Sequence, residues 1–178
     1  TIGQIGVSGA LYRAMEFTGP VIDGLSMAGR FTMANMAIEA GAKAGLFDVD
    51  AQTMAYVDGR AKRDYHIVHG DANASYLETT NIDVTGIEPQ VSLPHLPENA
   101  HSVSEVSDVT IDQAVIGSCT NGRLEDLRVA AEILSGRQVH NGVRCIVIPG
   151  TQQVYLEALR EGLIEAFIEA GAVVSTPT

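Results

Sequence analysis

A chain of 178 residues is long enough for one well-packed domain or for two small lobes. With 46% hydrophobic and 19% charged residues it reads as globular, neither disordered nor fibrous. A formal net charge of −11 argues against nucleic acid as a partner, and no apolar stretch is long enough to cross a bilayer.

In chain order, Ser8 as an N-cap with apolar positions at 11, 14 and 15 predicts a first helix over 8–18, stopped by Gly19-Pro20. A second helix is predicted over 31–41, entered through 24–30 and closed by Gly41 as a left-handed cap. Small and apolar residues on nearly every side predict that this helix is buried, with Met27, Met33, Met36 and Met54 in the core. Residues 44–48 read as a short strand, 51–59 as a brief helix and 60–75 as a surface loop. The β-branched alternation of 76–84 predicts a strand. Pro89, Pro94 and Pro97, set among serines, predict a connection between two lobes. The expected organisation is a helix-rich α/β lobe over 1–84 and a parallel α/β/α lobe over 85–178, joined at about 84–108.

Beyond that connection the rhythm becomes strand 113–117, helix 123–135, strand 143–148, helices 152–161 and 163–170, and strand 172–175. Apolar strands alternating with amphipathic helices predict the α/β class, a three-layer α/β/α arrangement around a mainly parallel sheet covered on both faces. In such a sheet ligands gather where strands end and helices begin. The stretch Gly117-Ser-Cys-Thr-Asn-Gly122 occupies that position. It is followed by Arg123 and Leu124 where a nucleotide-binding loop needs lysine and a hydroxyl, so the spacing imitates that loop without its chemistry. Cys119 can be a nucleophile activated by the backbone, or a thiolate ligand to a metal. Cys145 lies inside a strand and reads as a small buried hydrophobe, so the two cysteines give no disulfide framework and suit a reducing cytoplasm. His66, His69 and Asp71 are a weaker metal candidate, and His95 and His101 read as connection residues.

The residues Ile116-Gly-Ser-Cys-Thr-Asn-Gly-Arg-Leu-Glu-Asp-Leu-Arg128 resemble the cluster-cysteine motif of the aconitase superfamily. The likeness is nearest to the large (catalytic) subunits of its isopropylmalate dehydratase and homoaconitase branch. The stretches 12–19, 25–43, 88–91 and 145–150 are similar to that family too, so the resemblance covers essentially the whole chain. It implies a 4Fe-4S cluster in the parent protein, held by three cysteines, with one iron left open to bind the substrate's hydroxyl and carboxylate. Cys119 matches the first cluster ligand. The other two are expected in a Cys-x-x-Cys pair beyond Thr178, so the cluster is expected to be absent from this chain and the chain itself to be inactive. Asn35 and Glu39 match the family's Asn-x-x-x-Glu active-site pair, and Arg123 is a candidate for binding a substrate carboxylate.

The resemblance further implies a hydro-lyase or isomerase acting on a malate-type hydroxy di- or tricarboxylate, in the first instance the conversion of 2- to 3-isopropylmalate in leucine biosynthesis. The alternatives are a homoaconitase or a methylmalate or citramalate dehydratase. Outside the family, the alternatives are a non-catalytic α/β scaffold or a cysteine-dependent enzyme. The implied partner is a small subunit, in the cytoplasm, with no nucleic acid and no membrane.

Overall fold

The computed structural model describes residues 1–177, and the chain divides into two compact units, Thr1–Ser107 and Asp108–Thr178. In the first unit, helix α1 (Ile2–Ile5) is followed by turns and then by strand β1 (Ala14–Phe17), not by the helix expected over 8–18. The sequence there alternates, with Met15 and Phe17 inward and Ala14 and Glu16 outward, and β1 pairs in parallel with β2 (Ala44–Phe47). That period-2 pattern outweighs the capping signal of Ser8. The Gly19-Pro20 pair, read as a stop, instead opens α2 (Pro20–Asp23), with proline at the first helical position where its fixed φ is already suitable.

Helix α3 (Met27–Met36) starts at Ser26, whose hydroxyl accepts from the Gly29 amide at 3.2 Å. The helix tightens into a 3-10 turn over Ala37–Ala40 and ends at Gly41 with φ 81°, the left-handed cap that the sequence predicts. It lies directly on β2: a Cβ at Gly45 would stand 2.8 Å from the Cα of Ala34. The buried cluster is correspondingly small, Ala10, Ala37, Ala40 and Ala42, with Ile5 and Met15 against it. The expected burial of this helix is only partly met. Met27, Met33, Met36 and Met54 are half-buried, and Arg30 is the buried residue of α3.

The Arg30 guanidinium, 4% exposed, donates to Asp50 at 2.6 Å, to Thr53 Oγ1 at 3.2 Å and to the Asp23 carbonyl at 3.2 Å. It thereby fastens the end of α2 to the start of α4 (Ala51–Val57), where Asp50 is the N-cap. Residues 60–75 form the exposed loop that the sequence predicts. The strand expected over 76–84 does not form: the segment is exposed and pairs with no strand. It is tethered by side chains instead, Tyr76 to Glu16 at 2.8 Å and Arg13 to Glu78 at 2.9 Å. β-Propensity measures fit to a half-buried pleated surface, and no such surface meets this segment. The proline-rich stretch is an antiparallel hairpin, β3 (Gln90–Ser92) with β4 (Ala100–Ser102), within the first unit.

The second unit follows the sequence reading closely: β5 (Gln113–Gly117), a short helix α5 (Ser118–Asn121), α6 (Leu124–Leu134), β6 (Arg144–Ile148), α7 (Gln152–Arg160), α8 (Leu163–Glu169) and β7 (Val173–Val174). Its three strands are parallel and lie in chain order β5-β6-β7. Crossovers that step in one direction with one hand lay their helices on the same face. The core shows this, with Leu127 and Ala131 of α6, Ala158 of α7 and Phe167 of α8 packed with Cys145 and Val147 of β6. By register Ala114 and Ile116 share that face. On the opposite face Val115 and Val173 are about half exposed, at 54% and 52%. The α/β class with mainly parallel sheets is therefore present, while within this unit helices cover one face of the sheet and not both. A second helical layer needs a reversal of strand order, which the described residues of the unit do not contain.

Candidate functional site

Cys119 stands where the sequence predicts, just beyond the C-terminal end of β5 and bracketed by two glycines. The backbone there is far from ordinary. Gly117 has φ 95° and ψ −129°, and Ser118, a residue with a side chain, is held at φ 81°. The chain is pressed into this conformation from the neighbouring strand: a Cβ on Gly117 would collide with the Ile148 carbonyl. The Gly150 amide donates to the Gly122 carbonyl at 2.7 Å, closing the far side of the turn. The result is a thiol presented outward, exposed, with its neighbours fixed by main chain.

The Ser118 hydroxyl donates to Cys119 Sγ at 3.8 Å, and the Thr120 hydroxyl lies at the same distance. These contacts, Ser118 first and Thr120 second, hold the thiol below its ordinary pKa, against a small opposing effect of burial. Cys145 is the reverse case. It is 5% exposed within the core, and burial raises its pKa. Both cysteines are free thiols, one exposed and one buried, with environments that shift them in opposite directions.

Arg123 is the N-cap residue of α6, and its amide donates to Asp126 Oδ2 at 3.0 Å. Asn121 Nδ2 reaches Asp126 Oδ1 at 3.3 Å, so Asp126 ties the cysteine turn to the helix that follows it. The Arg123 side chain is half-buried. In the first unit, Asn35 belongs to α3 and Glu39 to the 3-10 turn that continues it, and both are exposed. The tighter turn swings Glu39 further around the axis than an unbroken α-helix would. Of the residues expected at the site, Asn35 and Glu39 belong to the first unit and Cys119 and Arg123 to the second.

The weaker metal candidate is not assembled: His69 Nδ1 pairs with Asp48 at 2.8 Å. Among the described residues no group of three or more His, Cys, Asp or Glu side chains is arranged to hold a metal ion. As donors to an iron–sulfur cluster the residues present supply one exposed, acidified thiol, whereas such clusters take three or four thiolates. The described residues therefore fit such a cluster only as the source of one thiol donor. Sequence reasoning missed Ser118 and Thr120 as partners of the thiol, although both flank it in the motif. It also missed that the Ile148-Pro149-Gly150 corner bears on the turn.

A sequence model of the aconitase family (aconitate hydratase) matches residues 1–108 and 102–178. The chain belongs to the aconitase family. It is 67% identical over 178 residues to the 3-isopropylmalate dehydratase large subunit of Moorella thermoacetica, covering 100% of this chain and 42% of that protein. The proteins of the same name from Halothermothrix orenii and Desulfitobacterium hafniense are 64% and 62% identical, each with 100% of this chain and 42% of the relative covered. The chain thus spans less than half the length of these relatives. Among the described residues no helix is long and apolar enough to cross a membrane.

Proposed function

We propose that the chain is part of the large subunit of a hydro-lyase that interconverts 2- and 3-isopropylmalate, a step of leucine biosynthesis, in partnership with a small subunit in the cytoplasm. The reading is carried by one observation: an exposed thiol of lowered pKa stands on a main-chain corner at the C-terminal end of a parallel sheet, in a chain 67% identical to a 3-isopropylmalate dehydratase large subunit. In the parent, Cys119 is one of three thiolates on a 4Fe-4S cluster, the other two lying outside these residues. When bound, such a cluster supplies a Lewis-acidic iron for the hydroxyl that leaves.

The chain's own residues then have three tasks. Glu39 serves the acid–base network, Asn35 hydrogen-bonds beside it, and Arg123 pairs with a substrate carboxylate. Cysteine-dependent nucleophilic chemistry is the less favoured reading, because the hydrogen bonds of Cys119 run to two hydroxyls and not to a base.

The test uses the full-length large subunit with its small subunit, assayed for interconversion of 2- and 3-isopropylmalate. Glu39→Gln is expected to reduce kcat by at least about 100-fold while substrate still binds. Conversion of citramalate or homocitrate in preference to isopropylmalate would overturn the substrate assignment. Unchanged turnover in Glu39→Gln would overturn the role of that carboxylate.

A further inference from the structure

We propose that the corner Ile148-Pro149-Gly150, which follows β6, is the positioning element for the Cys119 thiol and acts on it entirely through main-chain contact. Its consequence for catalysis rests on the cluster reading above, while its effect on the thiol belongs to this chain alone.

Three approaches define the contact. A Cβ on Gly117 would collide with the Ile148 carbonyl. A Cβ on Gly122 would lie 2.6 Å from the Gly150 nitrogen and 2.7 Å from the Ile148 oxygen. A Cβ on Gly150 would lie 3.1 Å from the Gly122 oxygen and 3.4 Å from the Ser118 oxygen. The corner therefore touches residues on both sides of Cys119, and it is stitched to them by the Gly150 amide on the Gly122 carbonyl at 2.7 Å.

Neither Gly122 nor Gly150 has positive φ, so glycine is required at both by proximity and not by conformation. Pro149, between the two contacting residues, is fully buried, which fixes the corner to the core of its unit. Backbone locked between two adjacent strands has little freedom to drift. The Cys119 backbone consequently keeps its place, which leaves the sulfur beside the Ser118 and Thr120 hydroxyls of its own turn. A ligand that must meet an inorganic centre within a few tenths of an ångström benefits from such a rigid mount.

The test is the rate of Cys119 alkylation at one fixed pH in the 178-residue chain, with Cys145 as an internal reporter. Cys145 is 5% exposed in the same unit and becomes labelled only if that unit opens. Gly150→Ala forces its neighbours aside by a few tenths of an ångström. It is expected to change the Cys119 alkylation rate by at least about threefold, with Cys145 still protected. An alkylation rate unchanged from the wild type, with Cys145 protected, would overturn the proposal. Should Gly150→Ala open the unit, Pro149→Ala, which loosens the corner without a clash, is judged by the same two results. In the full-length subunit, Gly150→Ala is expected to retain its iron but to change the cluster's electron paramagnetic resonance signature. A changed alkylation rate in a parent that binds no iron would leave the corner's role standing and remove the cluster reading instead.

Discussion

Gly122→Ala perturbs the cysteine turn by steric contact alone, since Gly122 has φ −102°. The added methyl would stand 2.6 Å from the Gly150 nitrogen and 2.7 Å from the Ile148 oxygen, where ordinary contact begins at 3.4 Å. The methyl would also collide with the Ser118 carbonyl within the turn itself, and every atom that must move is main chain. Overpacking of this kind costs about 1–3 kcal/mol, and loss of the Gly150-to-Gly122 hydrogen bond in a buried setting adds about 1–3 kcal/mol, so about 4 kcal/mol is expected. Gly136→Ala is the matching control. It has φ 68° with nothing within 4 Å of its added methyl, so it carries only the conformational penalty of about 1–2 kcal/mol, partly offset through the unfolded chain. Urea titration followed by Cys145 labelling reads the second unit specifically, since that thiol lies in its core. The expected result is a midpoint shift in Gly122→Ala at least twice that in Gly136→Ala. Equal shifts would refute the close approach of the two strand ends.

Phe167, fully buried against one face of the sheet, is expected to lose about 3–5 kcal/mol on substitution by alanine, whereas Val115→Thr on the bare face stays within about 0.5 kcal/mol. Equal losses in urea unfolding would show that both faces are packed. In the first unit, the Arg30 guanidinium, followed by the Thr53 amide, holds Asp50 well below the usual carboxylate range. The unfolded chain takes up that proton at about pH 3.9 and the folded chain only at lower pH, so this contribution is full above about pH 4 and fades as the pH falls further. Thermal unfolding between pH 7 and pH 3 is expected to show a shallower acid decline in Asp50→Asn than in the wild type, from a lower starting point. The same slope in both proteins would contradict the coupling.

The second unit was legible because its signals agree with one another: apolar runs at 113–117 and 143–148, amphipathic helices between them, and glycine or proline at the turns. The glycine-bracketed cysteine was legible for the same reason. What the sequence concealed was long-range. The alternation of Met15 and Phe17 becomes a strand because Ala44–Phe47 lies alongside, and that of 76–84 does not because no strand adjoins it. Likewise, strand order decides which sheet face receives helices, and the α–β rhythm is the same for either order. Arg30 gave no local sign that it would be the buried residue of its helix, since its partners Asp23 and Asp50 come from either side of it in the chain. The steric pressure of Gly150 on Gly122 similarly joins two turns that are distant in sequence.

The most direct measurement is the iron and sulfide content of the full-length large subunit after anaerobic reconstitution, compared between wild type and Cys119→Ser. About four irons per chain are expected in the wild type, with loss of the cluster's visible absorbance in the variant. A variant that keeps its full complement of iron and its absorbance would contradict the assignment of this thiol to the metal.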